Sequence, residues 1–487
     1  MSPIRLCRHE VTLLPESARV IIRPFVPSDV HRITTIIGRA LALTEDEVVA
    51  ELAAVRREFD SRHFDIEGLM LAHFAKVRHH VFTQRRLTRE RELLIGALFS
   101  GEYALESAAI FNPSIVPHPD QAGLSPGALR FIMSLRATGE GHVSSIVFRT
   151  GVVNPDDTVS LDTLPERLHR SQMLPDRQYV RGVFKRKLVE MGMNMALCSA
   201  AIDRLPERFT LDELRAAIGN IKGDNAQQCD AVRKTVLWLA ESNYHIEVAP
   251  DARLDELAIF PMSPDESHGM EDLRLTRFVD DDGSITYHGT YTAYNGVRTL
   301  PMLLSTNDFR RIEFHSLNGK SALNKGMALF PRRINGRYVM CSRIDGESLF
   351  IATSDAMHFW ESADLLIRPK HPWELMQIGN CGPPIETPRG WLLLTHGVGP
   401  MRTYSIGAIV LDLEDPRKVI GHLREPLLAP TDAEREGYVP NVVYTCGSLQ
   451  HLDDLFIPFA LADTSTSLAV VTVNALIDQA MADYESA

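Results

Sequence analysis

"LLSTNDFRRIEF", residues 303–314, runs an apolar strand into a polar turn at Asp308 and leaves it through Phe309 and Ile312. Two later stretches share this texture: "LFIATSDAMHFWES" at 349–362 and "AIVLDLEDPRKVI" at 408–420. Each sets an Asp-bearing turn after a strand and follows it with an aromatic or apolar residue. Such units recurring through an all-β region, each followed by further strands, point to the blades of a β-propeller. A sandwich fits the strand count but not the repeat. From Tyr244 to about residue 475 the chain reads almost entirely as strand and turn.

Short alternating strands also begin near residue 98. In "RFIMSLRATGEGHVSSIVFRTG", Phe131, Met133 and Leu135 point one way and Ile132, Ser134 and Arg136 the other. Two helical regions flank this texture. Residues 1–97 open with the strand "ARVIIRPF" and turn helical at "LTEDEVVAELAAVRREF". There Thr44 and Glu47 have capping-box spacing, and Val48, Leu52, Val55 and Phe59 share a face. Residues 164–243 are helical again, with a second capping box at Thr210 and Glu213 and the amphipathic "DAVRKTVLWLAES". The expected organisation is an N-terminal strand plus helical region (1–97), a β domain (98–475) interrupted by a helical insertion (164–243), and a C-terminal tail (476–487).

A chain of 487 residues with 45% hydrophobic and 23% charged residues has the composition of a soluble globular protein. Its net charge of −12 argues against a general nucleic-acid binder. The cysteines (Cys7, Cys198, Cys229, Cys341, Cys381 and Cys446) show no C-x-x-C spacing, so they read as reduced buried thiols. "MSPIRLCRHEVTLL" carries charge within its short apolar run and is not a signal peptide. No apolar run approaches the ~20 residues of a membrane span. The expectation is a soluble cytoplasmic protein without a membrane partner. His63, His73, His79 and His80 have no carboxylate or cysteine at ligand spacing and read as structural.

Several polar residues interrupt apolar strand ends or Pro/Gly turns: Asn112 in "IFNPS", Arg136 in "SLRAT", Asp272 in "MEDLR", Lys325 in "NKGMALFP", Arg343 in "CSRID", His396 in "LLLTHGVG" and Asp463 in "ALADTS". Singly, each has an ordinary explanation as a turn former, a surface charge or a core histidine. Together they share a logic, because a propeller brings one end of each innermost strand to a common mouth. That mouth would hold two carboxylates, a histidine and three cations. Cations facing one spot repel each other unless an anion joins them, and Arg and Lys are the usual phosphate ligands. Asp and Asn suit sugar hydroxyls, and a general acid needs a carboxyl protonated near neutral pH. The combination points to glycoside phosphorolysis.

The ordered set "FNPS", "SLRA", "GMEDLR", "YTAYNG", "KGMALFPRRINGRYVMCSR", "GPPIETPRGWLLLTHGV", "EREGYVPNVVYTCG" and "ALADTSTSLAV" resembles glycoside hydrolase family 130 from about residue 98 to 475. The resemblance implies a mainly β fold, a five-bladed β-propeller, acting on β-mannosides as an inverting phosphorylase or, in some members, a hydrolase. It implies Asp272 as the catalytic acid, Asn112 and Asp463 as contacts to the mannosyl unit, and Arg136, Lys325, Arg343 and His396 around phosphate. In that family the acid acts through a hydroxyl of the bound mannose, and phosphate attacks from the opposite face to give α-mannose 1-phosphate. Three departures stand out: "EDLR" for the family's Glu-Asp-Pro-Arg, "THGV" for Tyr-His-Gly-Val, and "PFALAD" for Tyr-Tyr-Gly-Ala-Ala-Asp. The last two remove hydroxyls near the phosphate and acceptor sites.

The expected partners are thus a β-mannoside oligosaccharide, with β-1,2 linkage placed first, and inorganic phosphate as co-substrate. No cofactor and no metal are expected, since the carboxylates and histidines lack ligand spacing. A β-mannosidase would instead need a base, for which Glu374, Glu386, Glu434 and Glu436 are the candidates. A non-catalytic carbohydrate-binding propeller is the reading from another class, but such a pocket has no use for an acid among cations. The added helices have apolar faces that demand burial, on the propeller side or in a homo-oligomer.

Overall fold

Both capping boxes read from the sequence form in the computed structural model, which describes residues 4–171, 178–191, 193, 195–221 and 225–486. Thr44 accepts from the Glu47 amide at 3.3 Å while the Glu47 carboxylate accepts from the Thr44 amide at 2.7 Å, starting helix Glu45–Phe59. Thr210 and Glu213 do the same for helix Leu211–Gly219. Residues 172–177, 192, 194 and 222–224 of the helical insertion lie outside the described residues.

The fold is mainly β. Antiparallel up-and-down units follow one another along the chain. Ala109–Pro117, Leu129–Thr138, Ser144–Val153 and Val159–Leu161 pair in sequence, as do Gly269–Val279, Ile285–Tyr294, Thr299–Thr306 and Arg311–Ser316. Ala328–Leu329 through Ala363–Ile367 form the next unit, and Gln377–Asn380 through Val419–His422 the one after. The final unit pairs Val443–Tyr444, Asp454–Leu461 and Ser465–Thr472, and its outer strand comes from the other end of the chain, Cys7–Leu13.

Strand alternation explains how these units stack. In "GWLLLTHGV", Trp391 and Leu393 enter one apolar cluster with Cys341 and Ile351 of the preceding unit, while Leu392 and Leu394 enter another with Ile457 and Phe459 of the following one. Both faces are covered, so the strand reads as an almost unbroken apolar run. Ile132 and Phe148 meet Leu275 and Tyr291 in the same way, and Phe278 and Leu303 meet Leu329 and Met340. Phe456 and Leu468 of the final unit then pack on Phe131 and Met133 of the first.

The helical regions keep their own cores. The insertion buries Phe184, Leu188, Ile202, Phe209, Leu214 and Val236 together. The N-terminal helices enclose Val48, Leu52, Ile66 and Met70 with Ile22. Two boundaries differ from the sequence expectation. Strand Ser100–Ala104 pairs with Val20–Pro24, so the N-terminal region runs past residue 97. Residues expected as a C-terminal tail belong to helix Val473–Glu485, whose Leu476, Ile477 and Ala480 are buried against the final units. Among the described residues, no helix is long and apolar enough to cross a membrane. His63 meets Glu102 at 2.7 Å and His73 meets Ser100 at 2.7 Å, ordinary buried partners for histidine.

Candidate active site

Asn112 and Asp272 are presented by the same backbone device. In the first unit the register runs Phe111↔Arg136 and then Ser114↔Ser134, leaving two residues opposite one. In the second it runs Glu271↔Thr292 and then Arg274↔Thr290. Such bulges bend a strand and re-aim a side chain. The bulged residues are left-handed, with φ of 49° at Asn112 and 57° at Asp272. Asn and Asp tolerate that region better than other non-glycine residues, yet it still costs about 1–3 kcal/mol. The two bulges lock together through Ser114, whose Oγ accepts from the Leu275 amide at 3.0 Å. Asn112 Nδ2 then donates to Asp272 Oδ1 at 2.7 Å.

Asp463 is left-handed as well, at φ 50°, after Ala462 at φ 47°; the Thr464 amide closes this turn on Leu461 O at 2.9 Å. Left-handed conformation at both central residues is the geometry of the tight turns that join antiparallel strands. The Ile110 amide donates to Thr464 O at 2.9 Å and Thr466 Oγ1 to Ile110 O at 3.0 Å, seating the turn beside the Asn112 strand.

The basic residues divide into two groups. Arg136 donates to Glu271 Oε1 at 2.9 Å, to Asp272 Oδ1 at 3.4 Å and to Ser144 Oγ at 2.8 Å. Lys325 reaches Glu271 Oε2 at 3.4 Å. Arg274 donates to the Asp272 carbonyl at 3.1 Å and to Tyr444 OH at 2.8 Å. Arg343 differs, since among the described residues it pairs with no carboxylate. Its Nη1 lies 3.1 Å from His396 Nε2. Gln377, with its carboxamide turned as the surrounding donors require, accepts from His396 Nε2 at 2.9 Å and from Arg343 Nη1. Asn324 ties the Lys325 loop to this group by donating to Arg343 O at 3.3 Å.

Charge follows from this division. Burial alone would raise the Asp272 carboxyl, but Arg136, Arg274 and Lys325 outweigh it and hold the group at about 2. Burial pushes Asp463 up to about 6, against Arg136 and with the repulsion of Asp272 and Glu271. Burial, then Arg343 and Arg274, drives His396 well below its ordinary value, so its imidazole is neutral. The sequence reading asks for a protonated acid, whereas the cations around Asp272 favour its carboxylate. The flanking cations keep Asp272 ionised, and the carboxyl closest to holding a proton is Asp463.

All seven residues singled out in the sequence fall in this one region. Sequence reasoning missed Gln377, Tyr444 and Ser144; Tyr444 lay inside a quoted motif, whereas Gln377 carried no local signal. Of the four glutamates considered as hydrolytic bases, three are held by partners outside this group and the fourth is exposed. Glu374 accepts from the Lys370 and His371 amides at 2.9 and 3.0 Å, Glu386 pairs with Arg332 at 2.7 Å, Glu434 pairs with Arg8, and Glu436 is exposed.

Residues 234–481, just over half of the chain, match the family model of glycoside hydrolase family 130 described as beta-1,4-mannooligosaccharide phosphorylase. The chain belongs to glycoside hydrolase family 130. The match includes Asp272, Lys325, Arg343, His396 and Asp463; Asn112 and Arg136 lie outside it and reach the site through the fold. This family-130 chain is 34% identical over 227 residues to a 1,2-beta-oligomannan phosphorylase of Thermoanaerobacter sp. (strain X514), covering 45% of this chain and 73% of that one. It is 36% identical over 224 residues to a beta-1,2-mannobiose phosphorylase of the same organism, covering 45% and 72%. The solved Listeria innocua beta-1,2-mannobiose phosphorylase, in complex with beta-1,2-mannobiose, aligns with 78% of this chain and 93% of its own at 22% identity and a TM-score of 0.47.

Proposed function

We propose that this protein is an inverting phosphorylase of β-mannosides, with β-1,2-linked manno-oligosaccharides as its substrate class. The observation that carries this reading is Arg343, a cation with only a neutral His396 and the Gln377 carboxamide as side-chain partners among the described residues, near an ionised Asp272. A dianion supplies what that group lacks. The linkage rests on the relatives, since those at 34% and 36% identity are named for β-1,2 substrates while the family model is named for β-1,4.

The proposed architecture is a five-bladed propeller, supported by apolar clusters that join each antiparallel unit to the next and the final unit to the first. The organisation is an N-terminal helical region, a propeller and a helical insertion in it. Asn112 and Asp463 hold the mannosyl hydroxyls. Arg343 and His396 hold phosphate, with Arg136 and Lys325 reaching it from the Glu271 side.

In the reaction the glycosidic C–O bond breaks as a phosphate oxygen bonds to the anomeric carbon from the opposite face. The leaving oxygen must gain a proton, and hydrogen phosphate gives one up. Asp272 carries it through a mannosyl hydroxyl. An arriving phosphate offsets part of the field of Arg136, Arg274 and Lys325, which moves the Asp272 carboxyl up from about 2 and helps it accept a proton.

The test is turnover of β-1,2-mannobiose, with β-1,4-mannobiose in parallel, with and without inorganic phosphate. Mannose 1-phosphate formed only when phosphate is present is the expected result. Free mannose released at the same rate without phosphate would make the protein a hydrolase.

A further inference from the structure

Away from the sugar and phosphate residues, three buried donors converge. His371 precedes and Glu374 ends the short turn Pro372–Glu374, and His422 ends strand Val419–His422. One ligand atom from each lies within 4.8 Å of the other two. Glu374 Oε1 accepts from the Lys370 and His371 amides, which aims its second oxygen at His422. Glu374 Oε2 faces His422 Nε2 at 3.5 Å, the long limit of a polar contact, and neither atom has a closer partner among the described residues. Glu374 is 0% and His422 2% exposed. Buried polar atoms rarely go unsatisfied, so the facing Glu374 Oε2 and His422 Nε2 call for a shared partner between them.

We propose that His371, Glu374 and His422 bind a divalent transition-metal ion, zinc by the chemistry of the donor set, clipping the Pro372–Glu374 turn to the Val419–His422 strand. Two imidazoles and a carboxylate suit zinc, whose bonds of about 2.0–2.2 Å put neighbouring tetrahedral ligand atoms roughly 3.3–3.5 Å apart. The Glu374–His422 separation of 3.5 Å meets that requirement. Imidazole ligands favour such a transition-metal ion over magnesium or calcium, which take oxygen donors. Water completes the fourth corner. The sequence expectation of no metal rested on spacing, and the third ligand stands 48 residues beyond Glu374. The clip lies against the site's scaffold, because a side chain at Gly397, next to His396, would overlap Trp373 and Glu374.

The test uses the full-length protein, stripped with a chelator and titrated with Zn2+ by calorimetry and with Co2+ by visible absorption. The expected result is one ion per chain, tetrahedral cobalt bands and a melting temperature raised by Zn2+. His422→Ala, Glu374→Gln and His371→Ala are expected to weaken binding by more than the ~10–100-fold typical of losing an outer-shell partner. No saturable binding by the wild type, or unchanged affinity in a folded His371→Ala variant, would overturn the proposal. If the buried variants do not fold, the wild-type cobalt spectrum decides: tetrahedral bands support the site, and an aquo-ion spectrum excludes it.

Discussion

The two halves of the candidate site solve opposite electrostatic problems. Around Asp272 every cation has a carboxylate within reach: Arg136 and Lys325 on Glu271, and Arg274 against Asp272 itself, 3.8 Å away. Around His396, Arg343 has a neutral imidazole and a carboxamide for company. The first half is internally balanced and suits a neutral sugar, whose hydroxyls need fixed donors and acceptors. The second is left short of negative charge and suits an anion. The difference teaches that counting basic residues is not enough, since Arg136, Lys325 and Arg274 are already paired with carboxylates and Arg343 is not.

The largest expected effect is on the balanced half. Asp272→Asn is expected to lower kcat by ~10²–10⁴ while preserving mannobiose binding, measured by single-turnover kinetics and calorimetry. If most of the activity survives, Asp272 is not the acid. The same comparison predicts opposite stability effects from the two carboxyls. Asp272 is held at about 2, below its unfolded value, so its contribution is present above pH 4 and lost as pH falls through about 2. Asp272→Asn is therefore expected to destabilise at pH 7, by roughly 2 kcal/mol. Asp463 is raised to about 6, so its protonated form favours the fold below pH 4 and that advantage is lost as pH rises toward 6. Asp463→Asn is expected to stabilise above pH 6, by at most about 3 kcal/mol, while weakening mannoside binding. Denaturant melts at pH 4 and 7 check both signs, and shifts in the same direction would contradict the charge assignment.

The smallest effect concerns the bulges. Pro113 already follows a left-handed Asn112 in one of them, so Leu273→Pro behind Asp272 is expected to keep kcat within about threefold, near the ~1 kcal/mol scale of compatible proline changes. A large loss would mean that the two bulges are not equivalent.

Much of this was legible in the sequence, for physical reasons. Alternation in "RFIMSLRA" and the buried run "GWLLL" record strands covered on one or both faces, and both capping boxes are local hydrogen-bond patterns. Asn112 and Asp272 stood out as short polar residues breaking apolar strands, although the left-handed bulge behind that choice is a backbone fact. Other features depend on contacts far apart in the chain. Strand Cys7–Leu13 is charged and partly exposed, and only its pairing with Ser465–Thr472 marks it as structure. Gln377 reaches His396 because two strands lie in register. The Leu476, Ile477 and Ala480 spacing of the last helix was helical all along, but a chain end offered no partner to bury it against.

The most direct test of the division between the two halves is steady-state kinetics of Arg343→Gln, varying phosphate and β-1,2-mannobiose separately. Loss of a charge-assisted contact predicts a KM for phosphate raised about 10–100-fold, with the KM for mannobiose nearly unchanged. An equal rise in both, or a rise for mannobiose alone, would contradict the assignment of phosphate to the Arg343–His396 half.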